Sequence, residues 1–169
     1  NSKIPITEAK HRQIVEPNHA YVIPPGKQMV FEGGRLQLSA NEKKGGTPRA
    51  IDIFLDSLAR EHGQRAIGVI LSGTATDGTL GLEAIKAEGG FTFAQDASAA
   101  YDSMPRSAVA SGCVDLVLPP EAIARELVGI CQHPLFHTEA LAPVEEEQAS
   151  VVQPGYGRKA LPSGSAGIS

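Results

Sequence analysis

The sequence predicts a doubly wound α/β fold: a mostly parallel sheet with flanking helices, a small antiparallel hairpin region, and a domain that is incomplete. Residues 66–71 form a short, nearly continuous, β-branched apolar run, the pattern of a parallel strand covered on both faces. Helical periodicities stand on either side of it, with Ile51, Phe54, Leu55 and Leu58 on one face before it and Leu82 and Ile85 after it. The chain opens without methionine in strand-like residues 4–6, which predicts a piece of something longer.

The elements follow in order. Residues 20–24, 29–32 and 35–39 read as short extended segments separated by the turn signals Pro24-Pro25-Gly26 and Gly33-Gly34, and together predict the hairpin region. Residues 40–46 are a polar, lysine-bearing loop. Thr47 and Pro48 then offer a capping hydroxyl and a proline at the first helical position, and Gly63 ends that helix. After the strand at 66–71 comes a turn of small polar residues and a helix that Gly89-Gly90 terminates. Residues 91–95 alternate like another strand, and a strand-helix-strand unit implies parallel pairing. Met104-Pro105-Arg106 opens a short helix through Ala110 that Gly112 closes, and residues 114–118 give a further strand. Pro119-Pro120 and Glu121 start a last helix with Ile123, Leu127 and Ile130 on one face. Residues 1–137 therefore read as the folded part. Residues 138–169, with Glu145-Glu146-Glu147 and little large apolar surface, read as a flexible tail or linker.

Composition narrows the function. A chain of 169 residues, 41% hydrophobic, suits one domain plus a tail. A net charge of −4, no tryptophan and 5% aromatics argue against nucleic acid as a partner. No apolar stretch is long enough to cross a bilayer, so membrane insertion is not expected. Cys113 and Cys131 read as buried thiols of a reducing compartment, which points to the cytoplasm.

Asp77 is the leading candidate residue, because it lies just past the carboxyl end of a strand, where open α/β sheets gather ligands and catalytic groups. Such an acid can orient a histidine, bind a metal or cap a helix, and the residues alone leave these open. Neither a G-x-x-x-x-G-K-[ST] loop nor a G-x-G-x-x-G fingerprint is present, so residues 72–79 make a weak anion or nucleotide site. Ser72 lacks the G-x-S-x-G setting of a nucleophile elbow and reads as a turn residue. His11, His19 and His62 fall in loop or surface contexts, while His133 and His137 straddle the helix breaker Pro134. Neither a metal nor another cofactor is expected.

Five stretches in order carry a resemblance: E-P-N-H-A-Y-V-I-P-P-G (16–26), V-I-L-S-G-T-A-T-D-G-T-L-G-L (69–82), A-E-G-G-F-T-F-A-Q-D (87–96), Y-D-S-M-P-R-S-A (101–108) and V-D-L-V-L-P-P (114–120). Together they resemble the downstream part of the CheB-type chemotaxis receptor methylesterase domain, over residues 4–133. The wording of the second and fourth stretches is similar to the methylesterase part of hybrid proteins that carry a receptor methyltransferase downstream. The resemblance implies hydrolysis of glutamate methyl esters on a methylated chemoreceptor or related signalling protein, with glutamine deamidation as a companion activity, by a Ser-His-Asp triad. It puts Asp77 at the acid position and the Thr74 N–H at an oxyanion donor. Gly73, Gly78, Met104 and Pro105 support the turn.

The family's serine and histidine motifs stand upstream of anything matched here, and Gln132-His133 lies in the wrong order to replace them. The chain alone is therefore expected to be inactive. Ala75 and Ser103 each occupy a place where the family favours glycine, so each side chain restricts its turn. Arg106 reads as a solvated charge. The competing expectation is a non-catalytic α/β binding or docking module.

Overall fold

The computed structural model describes residues 4–40 and 49–136. The predicted cap Thr47-Pro48, most of the 40–46 loop, His137 and the 138–169 tail lie outside the described residues. The chain runs β1 (Ile6–Glu8), β2 (Gln13–Ile14), β3 (Ala20–Val22), β4 (Lys27–Glu32), β5 (Arg35–Ala40), α1 (Ala50–His62), β6 (Ile67–Ile70), α2 (Thr79–Ala87), β7 (Phe91–Gln95), α3 (Ser103–Ala110), β8 (Leu116–Leu118) and α4 (Pro120–Cys131), with short 3-10 turns at Gly63–Arg65 and Pro134–Phe136.

The parallel sheet has the order β6-β7-β8, with α2 joining the first pair and α3 the second. Successive side chains of β7 point to opposite faces, yet Thr92, Phe93 and Ala94 are all fully buried, so packing covers the central strand on both sides. The alternation read in residues 91–95 is therefore not that of a half-solvated strand. Thr92 is polar but interior, its hydroxyl 2.6 Å from the Cys113 carbonyl and its N–H donating to Asp115 Oδ2 at 3.0 Å. Gly68 of β6 makes room for α2, since a Cβ there would collide with Leu82 and Ile85.

β4 and β5 form the expected antiparallel hairpin, extended at its edge by β2. One correction concerns residues 20–24: Ala20–Val22 does not join the hairpin but pairs in parallel with β1, in the register Ile6 with Ala20. Pro24 and Pro25, which lack donors and hold a turn, separate it from β4. A second core of Ala9, Met29, Phe31 and Leu36 packs beneath this region against Phe54 and Leu58 of α1. The main core gathers Leu55, Ala59, Ile70, Leu82, Ile85 and Ala108.

Helix α1 thus serves both halves. Its Ser57 hydroxyl donates to Phe54 O at 2.7 Å and accepts from Phe31 N–H at 2.9 Å, covering the open edge of β4. Gly63, at φ 51°, ends α1 as expected, and the Gly63 N–H bonds to Ala59 O. Cys113 is buried but Cys131 is exposed, which corrects the expectation of two interior thiols: Cys131 falls at the end of α4, off its buried Ile123 face. Among the described residues, no helix is long and apolar enough to cross a membrane.

Candidate active site

The carboxyl end of β6 opens into residues 71–78, and the N-termini of α1 and α2 converge on that turn. Each helix has orphan amides there, and neither cap residue, Arg49 for α1 or Gly78 for α2, supplies a side-chain acceptor. Two aspartates exchange that duty. Asp77 receives the Ile51 N–H on Oδ2 at 3.1 Å and the Asp52 N–H on Oδ1 at 2.9 Å, so the acid of one turn caps the other helix. Asp52 answers with Oδ1, which accepts the Gly78 N–H at 2.9 Å and the Gly81 N–H at 3.0 Å, while Arg49 Nε donates to its Oδ2 at 3.3 Å. Both carboxylates sit at the positive ends of helix dipoles.

Capping was one of the roles open to Asp77, but the helix it caps is α1 and not the one that follows it. Asp77 is half-buried, and each of its oxygens, with one amide bonded, keeps a lone pair for a further donor. Beside it opens a cavity of about 420 Å³ lined by Arg49, Thr76, Asp77, Thr79 and Ser107, with the Thr79 hydroxyl donating to Ser107 Oγ at 3.1 Å.

The rest of the turn is clamped by the segment before α3. Gly73 N–H donates to Tyr101 O at 2.8 Å, and its carbonyl accepts from Met104 N–H at 3.2 Å and from the Ser103 hydroxyl at 3.3 Å. A Cβ on Gly73 would strike the Met104 sulfur, so the Met104 side chain occupies the space that the glycine leaves open. Pro105 is buried in the first turn of α3, a position whose amide has no helical partner to lose. Thr74 is exposed, and among the described residues its N–H donates to no acceptor. Ala75 holds φ at 73° and Gly78 at 96°; the first is the strained position that the missing glycine predicts.

Ser72 behaves as a turn residue: its N–H donates to Gln95 Oε1 and its Oγ accepts from Tyr101 N–H, both at 2.9 Å. The described histidines lie elsewhere. His11 Nδ1 accepts from Leu38 N–H, His19 stacks on Tyr21, and the His62 ring packs tilted against Phe31. Arg106 is exposed and faces Asp102 at 3.5 Å, as a solvated charge would.

Sequence reasoning missed Asp52. It is 6% exposed and on the buried side of α1, yet an acid in a helix's first turn ordinarily reads as a solvated charge. Its position between Ile51 and Ile53 was the available signal.

The CheB methylesterase family profile matches residues 1–127. A protein-glutamate methylesterase/protein-glutamine glutaminase of Methanococcus maripaludis is 38% identical over 135 residues, 76% of this chain and 37% of that protein. An uncharacterized 104.1 kDa protein of Rhodobacter capsulatus is 38% identical over 124 residues, 73% of this chain and 13% of that protein. The crystal structure of the Thermotoga maritima CheB methylesterase catalytic domain superposes with a TM-score of 0.64 at 28% identity, covering 73% of this chain and 68% of that one. The chain thus spans little more than a third of the length of the first of these relatives, and far less of the second.

Proposed function

The chain belongs to the CheB methylesterase family, and on that footing we propose that Asp77 is the orienting acid of a Ser-His-Asp hydrolase acting on glutamate methyl esters of a chemoreceptor. The serine and histidine come from outside these 169 residues. The observation that carries the reading is the fixed carboxylate. Two α1 amides hold Asp77 beside the strand end, and each oxygen keeps a lone pair for an imidazole N–H. An acid so held fixes the tautomer of the base and stabilises the imidazolium formed when the serine loses its proton.

In this reading the Thr74 N–H helps to receive the oxyanion of the tetrahedral intermediate. Gly73, Gly78, Met104 and Pro105 hold the turn that aims it. Attack of serine on the ester expels methanol, and water then releases the glutamate carboxylate. An amide substrate passes through the same steps, releasing ammonia, which accounts for glutamine deamidation. The protein acts in the cytoplasm, in keeping with two thiols that form no disulfide. It functions within a longer protein, for which a relative matched over only 13% of its length is a precedent.

Methanol release from methylated receptor tests this. The isolated chain gives none above buffer, the full-length protein turns over, and Asp77→Asn in that protein lowers kcat by about 10³–10⁴-fold with folding retained. Asp77-dependent release by the isolated chain, or a full-length Asp77→Asn protein of normal kcat, refutes it.

A further inference from the structure

We propose that Asp52 is a positioning residue for this site: its carboxylate ties the turn carrying Asp77 to α1 and so sets where the acid points. The inference rests on the reading of Asp77 as the orienting acid. Its basis is a closed ring of bonds in which residue 52 meets residues 77 and 78 at two atoms. The Asp52 N–H donates to Asp77 Oδ1, and Asp52 Oδ1 accepts from the Gly78 N–H, both at 2.9 Å. A third bond, from the Gly81 N–H at 3.0 Å, fixes the first turn of α2 to the same oxygen.

The turn does not hold itself. Ala75 at φ 73° is strained, Gly78 at φ 96° has no side chain to cap α2, and residues 74–76 are exposed. Asp52 is by contrast 6% exposed on a regular helix, anchored at its other oxygen by Arg49. A rigid element therefore holds a weak one. The bonds made by residue 52 differ in a useful way: the one from its backbone N–H to Asp77 survives every substitution there except proline, whereas those from the Gly78 and Gly81 amides need its side chain. Removing the carboxylate frees the turn without removing the donor to Asp77.

Three variants of the full-length protein test this against methylated receptor, with KM, kcat and amide hydrogen exchange at Gly78 and Gly81 measured below the unfolding range. Asp52→Ala should leave KM near that of the parent and lower kcat about ten- to a hundredfold, the loss expected when a catalytic group is displaced by about an ångström. Its Gly78 and Gly81 amides should exchange faster. Asp52→Asn keeps the accepting oxygen and should retain most of kcat and the slow exchange. Asp77→Asn should be inactive with those two amides still protected.

An Asp52→Ala protein with unchanged kcat beside an inactive Asp77→Asn protein overturns the positioning role and leaves the acid assignment standing. An active Asp77→Asn protein removes the acid assignment, and this inference with it. Equal losses of kcat in Asp52→Ala and Asp52→Asn overturn the acceptor argument. If Asp52→Ala does not fold, Asp52→Ser, too short to bridge both amides, is judged by the same kcat criterion.

Discussion

Gly81 on α2 faces Leu55 on α1 so closely that a Cβ on the glycine would lie 2.6 Å from the Leu55 Cβ and 3.2 Å from the Asp52 Cα. Those atoms are fixed by the α1 backbone and cannot rotate away. The two helices approach this closely because residue 81 has no side chain, and that approach brings its amide to Asp52.

Gly81→Ala is expected to destabilise the protein by up to about 2 kcal/mol. Overpacking of this kind costs roughly 1–3 kcal/mol, against which alanine's better helix propensity returns about 1 kcal/mol. Gly129 on α4 is the control, since it is exposed and a Cβ there meets nothing within 4 Å. Gly129→Ala should gain up to about 1 kcal/mol. Urea unfolding of the two variants should therefore move in opposite directions. A stabilised Gly81→Ala protein would show that the helices have room to separate.

Ala75→Gly should stabilise the turn. A left-handed backbone costs an L-residue roughly 1–2 kcal/mol, and Ala75 sits at φ 73°. Glycine removes that strain but adds about 0.4–1 kcal/mol of unfolded-state entropy, so the net gain is on the order of 0.5 kcal/mol. Chemical denaturation midpoints compare the two proteins, and a lowered midpoint for the glycine variant contradicts the strain argument.

The parts of this molecule legible in its sequence are those that local physics writes. The apolar run around Val69, the helical face of Leu55 and Leu58, and the glycine stops at Gly63 and Gly89 each depend on near neighbours, and each forms as read. The parallel pairing of Ile6–Glu8 with Ala20–Val22 depends on residues 14 apart and left no local mark. At the site the same division holds. Asp77 was visible because the strand ends before it. Asp52 was not, because the amides it accepts lie 26 and 29 residues downstream and only the packing of α1 on α2 brings them together.

Acid should expose a second electrostatic tie, from Lys86 of α2 and Thr92 of β7 to Asp115 just before β8. Burial by itself would raise the Asp115 carboxyl, but the Lys86 ammonium and the hydroxyl and N–H of Thr92 outweigh it and hold the group below its ordinary 3.8. A depressed carboxyl contributes stability that is fully present above 3.8 and is lost as the pH falls through the lower folded value. Unfolding measured down to about pH 2.5 should show this loss, and Asp115→Asn should flatten the acid limb while lowering stability at neutral pH. An unchanged acid limb in the variant would exclude Asp115 as its source.

His62 should act in a different window. Its ring packs against Phe31 at a centroid distance of 4.8 Å, and partial burial followed by repulsion from Arg65 outweighs attraction to Glu61, so its pKa lies below 6.5. The unfolded chain then takes up the proton more readily than the folded one, so stability is complete above pH 6.5 and declines as the pH falls toward the lowered folded value. The substitution His62→Phe preserves the ring contact with Phe31 and removes the titration. Urea unfolding between about pH 5 and 7.5 should thus show a slope in the parent that the phenylalanine variant lacks, with the two curves parallel above that window. Equal slopes in both proteins would assign the pH dependence to other groups and leave the His62–Phe31 packing a purely apolar contact.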